Sequence, residues 1–122
     1  KYHTPGLWAN TCCTHPHWGE TAIDCATRRL TEELGITGLT LTPVGQVEYR
    51  AEVGNGLIEH ELVDIFTAEA PLTVQITPNP AEVMATQWLP LATLTAQTIT
   101  DPARFTPWLR IYLADHPHLL AP

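Results

Sequence analysis

The sequence predicts a mixed α and β domain (α/β, of the α+β kind) with a mostly non-crossover sheet, on three observations. A capped amphipathic helix is written across residues 21–35, two strand-like runs flank Gly54-Asn55-Gly56, and a proline-initiated helix starts at Thr106. The 122 residues fit one domain and can bury a core without disulfide staples. A composition of 44% hydrophobic and 16% charged residues is that of an ordered globular chain.

The elements follow in order. The stretch from Pro5 to Pro16 mixes apolar and small polar residues and reads as strand or loop. Gly19-Glu20-Thr21 opens the first helix, with Thr21 and Asp24 spaced as a capping box in which Asp stands for the usual Glu. Ile23, Ala26, Leu30 and Leu34 recur at helical spacing as the expected buried stripe. Gly35 stands where a left-handed residue ends a helix. The runs Thr40–Ala51 and Leu57–Ala68 read as a hairpin, since Gly-Asn-Gly suits a tight turn. Loops containing proline follow through Pro80, then a short strand is expected near Gln87–Leu89. Thr106 is the expected N-cap of the last helix, with Pro107 at its first position, where a missing N–H costs nothing. Trp108, Ile111 and Tyr112 share one face of that helix.

Charge and cysteines narrow the function classes. A formal net charge of −7 with six Lys and Arg in all disfavours a nucleic-acid binder, which needs a basic face. An acidic chain acting on a phosphate ester needs metal ions and local cations to reverse the field at its site. Apolar runs are short, so no membrane span is expected, and the start shows no signal-peptide pattern. Cys12, Cys13 and Cys25 form neither a disulfide framework nor a CxxC pair, and suggest reduced thiols in a cytoplasmic compartment.

Several residues could carry chemistry. In a strand, alternate residues share a face, so Leu57, Glu59, Glu61, Val63 and Ile65 point one way and His60, Leu62, Asp64 and Phe66 the other. Two carboxylates thus interrupt an apolar face, with Cα atoms roughly 6.5–7 Å apart. Spacing leaves two readings open: an edge strand with a solvated Glu pair, or a metal or acid–base site, since burying like charges needs a cation or a proton. On the first helix, Thr21, Cys25, Arg29 and Glu33 line one face and Glu20, Asp24, Arg28 and Glu32 the next, which composition alone reads as a solvated, ion-paired surface. Cys13 lies two residues before His15, an arrangement open to an activated thiol or to a small buried side chain. His3 and His17 read as loop residues, and Trp8, Trp18 and Trp88 as core packing.

Together these segments resemble the type I isopentenyl-diphosphate isomerase family. Pro5-Gly6-Leu7-Trp8-Ala9-Asn10-Thr11-Cys12-Cys13-Thr14-His15-Pro16 is similar to its active-site cysteine segment, and Arg28–Ile36 to its helical box. Val47-Glu48-Tyr49-Arg50-Ala51 is similar to its tyrosine strand and Asn55–Glu61 to its paired-glutamate strand. Glu82-Val83-Met84 and Phe105-Thr106-Pro107-Trp108 match two later stations in the right order. The helix also follows the wider Nudix signature, G-x5-E-x7-R-E-U-x-E-E-x-G-U, at Glu20, Arg28, Leu30, Glu32, Glu33, Gly35 and Ile36. It departs at Thr14, where a Gly belongs, and at Arg29, where Nudix hydrolases carry a metal-binding Glu.

The resemblance implies a Nudix-like mixed sheet flanked by helices, residues 1–122 forming one isomerase domain. It implies interconversion of isopentenyl and dimethylallyl diphosphate through a tertiary carbocation, in isoprenoid biosynthesis. Cys13, rather than Cys12, matches the catalytic cysteine, Glu61 the opposing acid–base carboxylate assisted by Tyr49, and Trp108 the aromatic face for the cation. His15, Glu59 and Glu61 match ligands of a divalent metal, zinc or manganese, and Glu33 a magnesium ligand. Lys1 and Arg29 match cations that contact the substrate diphosphate. Family members carry a further segment ahead of the position of Lys1, with strands, two more metal-binding His and further cations. The expectation is therefore a domain truncated at its N-terminus, without those strands. A small-molecule diphosphate partner, no nucleic acid, no membrane, and a monomer or weak dimer complete the expectations. The alternatives are a Nudix-type diphosphate hydrolase, against which Arg29 speaks, and a catalytically inactive remnant.

Overall fold

A computed structural model describes residues 6–54 and 56–120, so Lys1, His3 and the central Asn55 of the hairpin turn lie outside the described residues. The chain forms α1 (Ala22–Leu34), β1 (Thr42–Gly54), β2 (Leu57–Thr67), α2 (Leu91–Thr100), a 3-10 turn (Pro102–Arg104), α3 (Pro107–Asp115) and α4 (Pro117–Leu120). Helices and an antiparallel sheet give the mixed α and β architecture that the sequence predicts.

Strands β1 and β2 pair in a register that sets Val47 opposite Val63, Tyr49 opposite Glu61 and Ala51 opposite Glu59. Because side chains alternate, this register puts Val47, Tyr49, Ala51, Glu59, Glu61, Val63 and Ile65 on one face. Helix α3 packs on that face through Trp108, Leu109, Tyr112 and Leu113, and Phe105 completes the buried cluster with Val47 and Tyr49. The opposite face of β2 carries His60, Leu62 and Asp64 in solvent. Leu57, expected on the inner face, is exposed at the hairpin end, where the register shifts between Glu52 and Gly54.

Local signals set both capped helices. The Thr21 hydroxyl accepts from the Asp24 N–H at 3.2 Å, and Gly35 ends α1 in the left-handed region at φ 65°. A Cβ at Gly35 would lie 3.0 Å from Thr77, so the site needs glycine for space as well as for conformation. The carbonyls of Glu33 and Leu34 accept from Asn79 and Thr77 N–H groups at 2.8 and 2.7 Å, satisfying the helix end. Thr106 caps α3, its hydroxyl accepting from Leu109 N–H at 3.4 Å, with Pro107 in the first turn.

The inner side of α1 differs from the expected stripe. Cys25, Glu33 and Leu34 are its buried residues, whereas Ile23 is 40% exposed. The face carrying Cys25, Arg29 and Glu33 is turned inward, because Glu33 and Arg29 find polar partners there that offset their desolvation. Two further expectations fail: residues 87–89 form no strand, and Trp18 and Trp88 stand exposed on loops that no described element covers. Helix α2 is an element that the sequence pattern does not announce. Four threonines disguise α2, a helix whose hydroxyls at Thr95 and Thr100 bond back to the Leu91 and Ala96 carbonyls, both at 2.9 Å.

Trp8 forms an isolated parallel bridge with Phe105. Its N–H donates to the Arg104 carbonyl and its carbonyl accepts from the Thr106 N–H, each at 2.8 Å. This clip lays residues 8–13 against the start of α3.

Candidate active site

The clip at Trp8 brings the cysteine segment onto the same face as the hairpin's paired carboxylates. Cys13 is half-buried against the core cluster, and its thiol donates to Asn10 Oδ1 at 2.9 Å. The indole Nε1–H of buried Trp108 donates to the same oxygen at 3.2 Å. Across the cluster, the Tyr49 hydroxyl donates to Glu59 Oε2 at 3.2 Å, and the Tyr49 and Tyr112 rings meet edge to face with centroids 6.1 Å apart. His15 Nε2 lies 2.8 Å from Glu61 Oε1.

Electrostatics tie these groups together. Burial pushes the Tyr49 hydroxyl well above the ordinary tyrosine range, and the charges of Glu59 and Glu61 push it further. Tyr112 is raised by burial and then by the fields of Cys13, Glu61 and Glu59. Both phenols therefore stay protonated, and Tyr49 is the one that donates to a carboxylate. The Cys12 thiol is raised strongly, by burial first and then by its 2.6 Å hydrogen bond to Glu33 Oε2. Cys12 is a protonated tether to α1, while Cys13 faces the carboxylate strand's cluster.

The helix positions sort differently. Glu33 is 5% exposed, and its carboxylate receives the Cys12 thiol with the Arg29 guanidinium at 3.7 Å. Arg29 also pairs with Glu32 at 2.8 Å and with Glu82 at 2.5 Å, so three carboxylates surround the cation matched to the diphosphate. The hydrogen bond to Glu82 first, then that to Glu32 and the charge of Glu33, raise its pKa beyond the ordinary arginine range. Arg28 grips Glu20 through Nε and a second nitrogen at 2.8 and 2.9 Å, which holds the Glu20 carboxyl down to about 2.

The structure thus brings together Cys13, Trp108, Tyr49, Glu59, Glu61 and His15, and places Glu33 and Arg29 beyond Cys12 on α1. Lys1 lies outside the described residues. Among the described residues, no three His, Cys, Asp or Glu side chains close into a set that could hold a metal ion. His15 and Glu61 meet as a pair, while Glu59 is engaged by Tyr49. The donor chemistry, imidazole nitrogen and carboxylate oxygen, suits a divalent cation. Sequence reasoning missed Asn10 and Tyr112 as site residues. The signals that could have found them are the Asn three residues before Cys13 and the aromatic one turn after Trp108. Among the described residues, surface grooves elsewhere include one of about 430 Å³ beside Gly35, Leu39 and Thr77 and one of about 570 Å³ beside Ala51, Arg110 and Ala114.

A hairpin with inward carboxylates, a signature helix ending at Gly35 and a cysteine loop between them define a Nudix-type domain. Residues 1–109 match the family model for the NUDIX domain. An isopentenyl-diphosphate Delta-isomerase of Cereibacter sphaeroides is 67% identical over 116 residues, 95% of this chain and 66% of that protein. One of Dinoroseobacter shibae is 64% identical over 116 residues, again 95% and 66%. One of Rhodobacter capsulatus is 57% identical over 122 residues, 100% of this chain and 69% of that protein. The chain belongs to the NUDIX domain family and, within it, to the family of these isopentenyl-diphosphate Delta-isomerases. It spans 66% of the length of the first relatives it matches.

Proposed function

We propose that this domain interconverts isopentenyl and dimethylallyl diphosphate by moving a proton on and off the carbon skeleton. The observation that carries the proposal is the joining of Cys13 and Trp108 through Asn10, with Tyr49, Glu59 and Glu61 on the facing strands. In this reading a proton adds to the terminal methylene of the alkene, leaving a tertiary cation. Loss of a proton from the neighbouring allylic carbon then places the double bond in its new position. Cys13 and Glu61 handle these protons from opposite faces, with Tyr49 assisting Glu61. The π face of Trp108 stabilises the cation by about 2 kcal/mol or more in a desolvated site. Arg29 and Lys1 contact the diphosphate, and binding requires Arg29 to exchange part of its carboxylate shell for phosphate oxygens.

His15 and Glu61 already meet at 2.8 Å, and a divalent ion there would have to draw Glu59 away from the Tyr49 hydroxyl to gain a third ligand. His15, Glu59 and Glu61 would hold one divalent ion, zinc or manganese, and Glu33 a magnesium that neutralises the diphosphate. Residues 1–122 are read as one domain, a monomer or weak dimer in the cytoplasm, where its thiols stay reduced. No helix among the described residues is long and apolar enough to cross a membrane.

The test follows isopentenyl diphosphate in D2O with magnesium and zinc by NMR. Deuterium entering the allylic positions as dimethylallyl diphosphate forms is the expected result. Release of phosphate without isomerisation would replace the isomerase reading with a hydrolase, and neither reaction in the folded protein would leave an inactive domain.

A further inference from the structure

Asn10 takes no part of its own in the proton transfers above, yet Cys13 and Trp108, the two groups that would handle the substrate on its side of the cluster, converge on its side-chain oxygen. The backbone explains why it is there. Trp8 is clipped to Arg104 and Thr106, so two residues later the chain lies over the first turn of α3, where Trp108 projects. An indole N–H can only donate, and a buried one needs an acceptor. Trp108 is 5% exposed and finds Asn10 Oδ1 at 3.2 Å. A carbonyl oxygen accepts twice, and the second donor is the Cys13 thiol at 2.9 Å. The amide nitrogen donates to the Cys12 carbonyl at 3.3 Å, so both ends of the amide are engaged and its orientation is set. Through one shared oxygen, the sulfur and the indole nitrogen are held within about 6 Å of each other.

We propose that Asn10 is a positioning residue for the isomerisation, fixing the Cys13 sulfur relative to the Trp108 ring. The role rests on the isomerase reading above. A proton donor and the aromatic face for the resulting cation must address adjacent carbons of one small substrate, so their separation matters more than either group's own contact with the core. A single bifurcated acceptor locks that separation, where two independent hydrogen bonds would let the groups drift apart.

The test compares the wild-type protein with Asn10→Leu, Asn10→Ser and Asn10→Asp, read by isopentenyl diphosphate kinetics and by the indole N–H resonance of Trp108, assigned with Trp108→Phe. Asn10→Leu and Asn10→Ser are expected to lower kcat about tenfold to a hundredfold, the usual effect of misplacing a reacting group by an ångström, with KM changed less than about threefold. The Trp108 resonance should shift upfield as its acceptor is lost. Asn10→Asp keeps an oxygen in place and should restore the resonance and part of kcat. A merely structural role predicts the reverse order, because a half-buried charge is worse tolerated than Leu or Ser. A wild-type protein active on isopentenyl diphosphate with an Asn10→Leu variant of unchanged kcat, or an unmoved Trp108 resonance, would overturn the positioning role alone. An inactive wild type would overturn the isomerase reading and this role together.

Discussion

Tyr49 faces Glu61 as its direct cross-strand partner, yet its hydroxyl bonds Glu59, one step along the same face of β2. The diagonal reach lets one buried phenol serve both carboxylates, as donor to one and neighbour to the other. Replacing it by Tyr49→Phe should cost about 0.5–1.5 kcal/mol of stability for the lost hydrogen bond, read as a lower urea midpoint. Turnover of isopentenyl diphosphate should fall about a hundredfold, as expected for a group assisting proton transfer. An unchanged rate would confine Tyr49 to packing.

The two adjacent cysteines should behave as different residues. Cys13→Ala removes the group proposed to handle the proton, and turnover should drop to the limit of detection. Cys12→Ala removes a donor to buried Glu33 and should cost about 1–3 kcal/mol of stability while leaving most of kcat. Thermal denaturation and initial rates on both variants separate the roles, and equal losses of kcat would contradict the assignment.

Glu61→Gln should lose metal and activity together. The carboxylate 2.8 Å from His15 is matched to a ligand and to the acid–base group, so Mn2+ affinity by calorimetry should fall at least about tenfold. A variant that binds Mn2+ normally but does not turn over would leave Glu61 the acid–base role alone.

The Glu20–Arg28 pair makes a pH prediction. The folded carboxyl is held at about 2 against an ordinary value of 4.5, so its contribution to stability is present above pH 4.5 and disappears as pH falls toward 2. The stability gap between wild type and Glu20→Gln should therefore close across that interval in urea titrations. A gap independent of pH would show that the pair does not act through charge.

Gly35→Ala tests the end of α1. A side chain at φ 65° with Thr77 at 3.0 Å should destabilise the fold by about 1–3 kcal/mol, measurable as a lowered Tm. A neutral result would mean that the segment carrying Thr77 yields readily.

Much of this was written locally, and what was missed has physical reasons. The caps at Thr21, Gly35, Thr106 and Pro107 involve residues a few positions apart, so their sequence signals survive into the structure. The alternation that put Glu59 and Glu61 on one face also survived, because the pleat enforces it. The inward face of α1 did not, since a polar stripe of Arg29 and Glu33 is buried only by partners distant in sequence, Cys12 and Glu82. Helix α2 escaped notice because threonine favours strands, and its compensation, hydroxyls returned to the preceding turn, leaves no pattern in the letters. At the site, Cys13, Glu61, Tyr49 and Trp108 stood out by motif, whereas Asn10 and Tyr112 acquire meaning only through contacts across the fold.

The clip between Trp8 and Phe105 has a consequence for how the domain comes into being. Asn10 and Trp108 are 98 positions apart, so the arrangement around Cys13 cannot form until nearly all of this stretch has been synthesised. Closing so long a loop costs entropy that only the surrounding contacts return, which makes non-local pairings of this kind slow steps. The pairings within the β1–β2 hairpin and α1 are local in sequence, but the hairpin's inner face has its packing partners on α3. The arrangement at Cys13 is completed only when α3 meets the opening loop, since its far partner, Trp108, lies on that helix.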